Sequence, residues 1–146
     1  LNTLKDGSFE VITMWHVLEH VHDLQGYWKN FNRVLPVGGK LIIAVPNYTS
    51  SDAEHYGAIW AAFDVPRHLY HFSPASMAQL AGMHGFSIVA TQPMWFDSFY
   101  VAMLSEQYQY GTTRFLPAFW HGLKSNIAAI MNPNKCSSVI YILQKN

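Results

Sequence analysis

Charge is scarce in this chain. Only 12% of the residues are charged, and nine lysines and arginines balance nine aspartates and glutamates, so the formal net charge is zero. Phosphate binding normally shows as a basic excess or patch, so no nucleic-acid partner is expected. The same neutrality leaves little to oppose association of exposed apolar surface. Cysteine is nearly absent. The single Cys136 excludes an intramolecular disulfide and any multi-cysteine zinc site. No apolar run reaches the roughly 20 residues of a membrane span, and Leu1 opens no signal peptide, which makes the cytoplasm the expected compartment. Repeats and low-complexity segments are missing. No G-x-S-x-G motif appears, which disfavours a hydrolase built on the histidines.

What is present is apolar and aromatic. Half of the 146 residues are hydrophobic, and the length suits one domain with a substantial core. The stretch from Phe9 to Asn47 organises the rest: it reads as strand, polar turn, helix, glycine turn, strand. Val11 and Ile12 stand side by side in Phe9 to Met14, as in a parallel strand covered on both faces. His16, Glu19 and His20 follow at i, i+3 and i+4, a spacing that puts all three on one face of a helical turn. Asp23 is a helix cap, Leu24, Tyr27, Trp28, Phe31, Val34 and Leu35 fall at helical spacing, and Pro36 with Gly38 and Gly39 ends the helix. Leu41 to Val45 is a second buried strand. Two parallel strands joined by a helix form a right-handed crossover, and such sheets bind ligands beyond the carboxyl ends of their strands. Here those ends carry Trp15, His16, Pro46, Asn47 and Tyr48.

These motifs resemble a known family. FEVI, then HVLEHV, a helix, and RVLPVGGKLIIAVPN look like the second half of a class I S-adenosylmethionine-dependent methyltransferase, with Glu10 where that family usually has aspartate. VPRHLYHFSPASMAQLAGMHGFSI is similar to a later segment of the same enzymes. The resemblance implies an α/β fold: a partial Rossmann-like sheet of parallel strands with a final antiparallel strand, flanked by helices. It implies an S-adenosylmethionine cofactor and a small-molecule acceptor. It also implies that part of the family fold is missing. No G-x-G-x-G turn and no following acidic strand end occur in this sequence, and residues 1–8 read only as the linker before the fourth strand. The chain is therefore expected to be a truncated piece, not to bind the cofactor alone, to be inactive alone, and to self-associate through the exposed edge of its first strand. A non-catalytic binding or assembly module derived from the fold is the alternative.

Residues 1–97 read as the methyltransferase core, 98–135 as a helical insertion or cap, and 136–146 as the last strand. Tyr48 to Gly57 reads as a loop. Ala58 to Phe63 reads first as core filling, and otherwise as a substrate wall through Trp60 and Phe63. Ser73-Pro74 caps the next helix, and Phe86 to Thr91 is a strand. Within the insertion, FYVAMLSEQY and FLPAFWHGLKSNIAAIM are helical, and a lid over the acceptor is their functional reading. By the resemblance, Met14, Trp15 and His16 meet the cofactor. Asn47, Tyr48, Trp60 and Arg67 meet the acceptor. His16, His20, His68 and His71 are the candidate catalytic groups, since histidine titrates near working pH and suits removal of an acceptor proton. His22, His55, His84 and His121 read as surface or capping residues. Small-RNA 2'-O-methyltransferases and ubiquinone-pathway O-methyltransferases resemble the chain at E-H, and in them this segment contributes metal ligands; Glu19 and His20 match, while His16 replaces a glutamate. Two imidazoles and a carboxylate suit zinc better than magnesium. No metal is expected here, and Glu19 is expected to hydrogen-bond local backbone or the R-H-x-x-H loop.

Overall fold

The structure, a computed structural model, describes residues 3–146. Of the segment read as a linker, Leu1 and Asn2 lie outside the described residues. Four strands form one mixed sheet: β1 (Val11–Trp15), β2 (Lys40–Pro46), β3 (Phe86–Pro93) and β4 (Ser138–Lys145), in the order β1-β2-β4-β3. β1 and β2 are parallel, with Val11 opposite Lys40 and Trp15 opposite Ala44. The last strand inserts between β2 and β3 and runs antiparallel to both. This is the α/β architecture of a partial Rossmann-like sheet.

The crossover from β1 to β2 is helix α1 (Leu24–Val34), whose first turn is capped where Asp23 Oδ1 accepts from the Gly26 amide at 2.8 Å. Its apolar stripe buries Trp28, Phe31 and Val34, and Trp28 and Phe31 meet Leu41, Ile43 and Val45 of β2 and Tyr141 and Leu143 of β4 in the main core. Each fully buried large side chain of this kind contributes about 1.5–3 kcal/mol. Helix α3 (Pro74–Met83) starts at a reciprocal Ser73–Ser76 capping box and packs Met77 and Ala81 into the same core.

β1 corrects the expectation of a strand covered on both faces. It spans Val11–Trp15, later than the apolar run of the sequence, and only Met14 is buried. Among the described residues it pairs with β2 alone, so its outer edge is bare and Val11 and Trp15 stand half exposed. The run after Asn47, read as a loop, also differs. Ser50 accepts from the Ala53 amide and opens a short helix, α2 (Ser51–Tyr56), because polar residues of the right kind at an N-cap outweigh the absence of an apolar repeat.

Two long helices, α4 (Asp97–Tyr110) and α5 (Phe115–Met131), connect β3 to β4 as an antiparallel pair. They share a second core with Ala53, Tyr56, Trp60, Ala61 and Ala62. Asp52 ties this core to the sheet: its carboxylate accepts from Trp60 Nε1 at 2.7 Å, Ser125 Oγ at 2.8 Å and Ser137 Oγ at 2.7 Å. No helix of the described residues is long and apolar enough to cross a membrane.

Candidate functional site

The chain leaves β1 by a left-handed turn at His16, φ +52°, an uncommon conformation for a residue with a side chain. A 3-10 turn at Leu18–His20 follows. The three residues expected on one helical face are thereby split. His16 Nδ1 lies 3.3 Å from Glu19 Oε1, and His16 Nε2 lies 3.4 Å from Met94 Sδ. His20 turns the other way, to the segment Asp64–Phe72.

That segment is docked by backbone. The Glu19 carbonyl accepts from the amides of Leu69 at 2.8 Å and Tyr70 at 3.2 Å. The Glu19 side chain, in contrast, is 1% exposed, and among the described residues its carboxylate has no hydrogen-bond partner; the nearest group of opposite character is the His16 ring. Its carboxylate thus bonds neither to local backbone nor to the loop, which corrects the sequence expectation. Within the segment, Asp64 Oδ1 accepts from Arg67 Nε at 2.9 Å and Nη2 at 2.6 Å.

A cavity of about 290 Å³ opens between this segment and α4. Its polar side is His16, Asp64, Arg67, His68 and Asp97. Its roof is one face of α4, where Tyr100, Val101, Leu104 and Tyr108 follow Asp97 at helical spacing. The reading of these helices as a lid named none of these residues, because only the packing of α4 over the strand ends brings Asp97 and the two tyrosines to His16. Asp97 is held by the Ser138 hydroxyl, which donates to it, and burial pushes its carboxyl above the ordinary range. The Glu19 carboxylate 3.3 Å away raises the His16 imidazole, burial opposes this, and Asp97 adds to the rise.

The other expected residues are dispersed. Arg67 and His68 line the cavity with His16, whereas His20, His71, Asn47, Tyr48 and Trp60 are not among its lining residues. His71 Nε2 donates to the Phe63 carbonyl at 2.9 Å on the exposed side of the segment. Asn47 is buried and structural in its contacts, donating to the carbonyls of Asn134 and Cys136 and accepting from Thr49. Trp60 is 1% exposed and fills the second core. Tyr48 is exposed, Met14 points into the main core, and Trp15 sits at the bare edge of β1. Of the histidines read as capping or surface, His84 closes α3 and stacks on Trp28, and His55 and His121 stack on each other at 3.6 Å.

A metal could be held at one place among the described residues. Glu19, His20 and His68 each offer a ligand atom, all within 4.8 Å of one another. His20 Nδ1 donates to the Arg67 carbonyl at 3.0 Å and His68 Nδ1 to the Ala62 carbonyl at 2.8 Å, which leaves Nε2 of each ring as the atom to face a metal, that of His68 also lying 3.9 Å from Asp64 Oδ2.

A parallel β-α-β unit with its ligand groups beyond the strand ends, completed by an antiparallel strand, defines a class I methyltransferase fold. Residues 3–91 match the methyltransferase domain family, and the chain belongs to it. No protein of curated function matches the sequence. Among solved structures it is similar to a possible histamine N-methyltransferase of Thermotoga maritima, with 18% identity and a TM-score of 0.63 over 99% of this chain and 59% of that one. It is similar to the [4+2]-cyclase SpnF, with 16% identity and a TM-score of 0.59 over 98% of this chain and 52% of that one. A phosphoethanolamine N-methyltransferase 2 of Haemonchus contortus, in complex with S-adenosyl-L-methionine, shares 16% identity and a TM-score of 0.52 over 97% of this chain and 34% of that one. The chain thus spans less than two thirds of the length of each.

Proposed function

We propose that this chain is the acceptor-side part of an S-adenosylmethionine-dependent methyltransferase acting on a small molecule. The observation that carries the reading is the pairing of His16 with buried Glu19 at the end of β1, on the wall of the cavity beneath α4. With Nδ1 turned toward Glu19 at 3.3 Å, a proton held on Nδ1 would leave Nε2, beside Met94 Sδ, as the basic atom. An acceptor O–H or N–H placed in the cavity would give its proton to His16 Nε2 as its lone pair becomes the nucleophile. When bound, the cofactor would supply an electrophilic methyl group on a sulfonium, with sulfur as the leaving atom. Little charge has to be stabilised in such a transfer, so alignment is the larger part of catalysis. The apolar α4 face, acting as a lid, and Arg67 at the mouth would hold the acceptor. The backbone of Met14 and the ring of Trp15 would lie toward the cofactor.

The screen that tests this reading is transfer of labelled methyl by the full-length enzyme to panels of small hydroxyl, amine and carboxyl compounds. Transfer supports it; a full-length protein that binds the cofactor but methylates nothing would favour the assembly-module alternative.

One observation favours a second reading. The two imidazoles with Nδ1 bonded to carbonyls, beside an unsatisfied buried carboxylate, would suit a zinc-like cation on Glu19, His20 and His68. Both readings use Glu19, so elemental analysis separates them: stoichiometric zinc that is lost in Glu19→Ala would move the carboxylate from His16 to the metal.

A further inference from the structure

Helix α5 is packed inside out. Its buried side consists of Ala118, Gly122, Ser125, Asn126 and Ala129. A Cβ on Gly122 would lie 2.6 Å from the Phe99 ring, so the close approach of α5 to α4 requires glycine there. The large side chains are left outside. Leu116, Phe119, Trp120, Ile127, Ile130 and Met131 form a stripe at helical spacing, with Leu116 76%, Ile130 72% and Met131 88% exposed. Leu123, half-buried, lies at its middle. Single exposed apolar residues are ordinary, but a continuous stripe along a whole helix marks an interaction surface.

We propose that a second copy of this chain covers the stripe, two α5 helices packing antiparallel across a two-fold axis near Leu123. The exposed parts of the six side chains amount to on the order of 800 Å², about what one partner gives to a standard interface. The stripe is also self-complementary. With the axis at Leu123, Leu116 of one copy faces Ile130 and Met131 of the other, and Trp120 faces Ile127, so each bulky residue meets an aliphatic one. Charge disfavours other occupants. Lys124 is the single charged residue of α5, and it lines the hollow toward Asp52 and His55 on α2, leaving the stripe with no charge for an oppositely charged partner or an anionic lipid surface. The sequence points to the bare edge of β1 for self-association; α5 offers the larger apolar surface. Because α5 holds α4 through Phe99 and Gly122, a dimer formed here braces the roof of the cavity without entering it. The proposal does not depend on the methyl-transfer reading.

Sedimentation of this chain is the test. It should run as a dimer, and Trp120→Glu or Ile127→Lys should raise the dissociation constant by about 100-fold or more, as for a central aromatic anchor. Both positions face solvent, and circular dichroism checks that the variants fold. Leu123→Cys should oxidise to a disulfide-linked dimer, since only residues near the axis bring their own Cα atoms within bridging distance, and buried Cys136 does not compete. Val11→Lys, on the β1 edge, should leave the dimer intact. A monomer well above micromolar concentration would overturn the proposal, as would a dimer lost in Val11→Lys but kept in Trp120→Glu. So would flotation of the chain with neutral phosphatidylcholine vesicles abolished by Trp120→Glu.

Discussion

His16 Nδ1 stands 3.3 Å from Glu19 Oε1, and both residues owe that meeting to the left-handed turn that ends β1. An extended or helical His16 would aim its ring elsewhere. The carboxylate is buried with the partly exposed imidazole as its nearest compensating group, so removing His16 leaves Glu19 buried and uncompensated.

In a methyltransferase that carries this chain, His16→Ala should lower turnover by about 10² or more, the usual scale for loss of a general base. Glu19→Gln keeps the shape and loses the charge, and should lower kcat more than it raises KM, because it mis-orients the base without touching the acceptor. Steady-state kinetics check both. An equal loss in His84→Ala, at the far end of α3, would show that the site has no special claim on histidine.

Asp97 makes stability depend on pH in an unusual direction. Its folded carboxyl titrates above the ordinary value of 3.8, chiefly through burial, so the folded state favours the protonated form. Its contribution is fully present below that value and is lost as pH rises through the higher folded pKa. Asp97→Asn, whose carbonyl still accepts from Ser138, should therefore raise Tm at neutral pH and give no advantage at acid pH. Thermal unfolding at several pH values checks the sign; a lower Tm at neutral pH would mean that the charge is stabilised by groups other than those facing it.

The crossover unit was legible because its signals are local. Asp23, the stripe through Trp28 and Phe31, and the glycines after Pro36 fix α1 and β2 whatever surrounds them. The antiparallel last strand came from the family resemblance. The candidate site was legible in part: His16, Arg67 and His68 do share one cavity, and Trp60 fills core as the first reading of Ala58 to Phe63 has it, but the sequence could not tell that Asp52 would accept from its indole, or that Asn47 would bond the Asn134 and Cys136 carbonyls. Those are long-range partnerships, invisible to spacing. Asp97 and the tyrosines were missed for the same reason, since only the packing of α4 over the strand ends brings them to His16.

Asp52 should prove the costliest polar residue to remove. Its carboxylate satisfies three buried donors from the Trp60 side chain, α5 and the start of β4. Asp52→Ala leaves all three without an acceptor, and at about 1–3 kcal/mol for each buried unsatisfied group the chain should lose several kcal/mol. In urea the midpoint should fall with little change in slope. A loss below about 1 kcal/mol would show that water replaces the carboxylate.

The cofactor and the acceptor should separate experimentally. Residues lining the cavity come from His16 through Tyr108, all within this chain, whereas the sequence contains no glycine-rich phosphate-type turn and spans only part of its structural relatives. Backbone approach at such a turn and an acidic partner for the ribose normally supply much of the cofactor's polar recognition. Titration calorimetry should therefore show no micromolar binding of S-adenosylmethionine to the 146-residue chain and clear binding to a protein that joins this chain to such a turn. Acceptors found by the labelled-methyl screen should still bind the isolated chain, weakened by the missing wall of the cofactor, and lose that binding in Tyr108→Ala. Micromolar cofactor binding to the isolated chain would mean that the ends of β1 and β2 recognise the cofactor without such a turn.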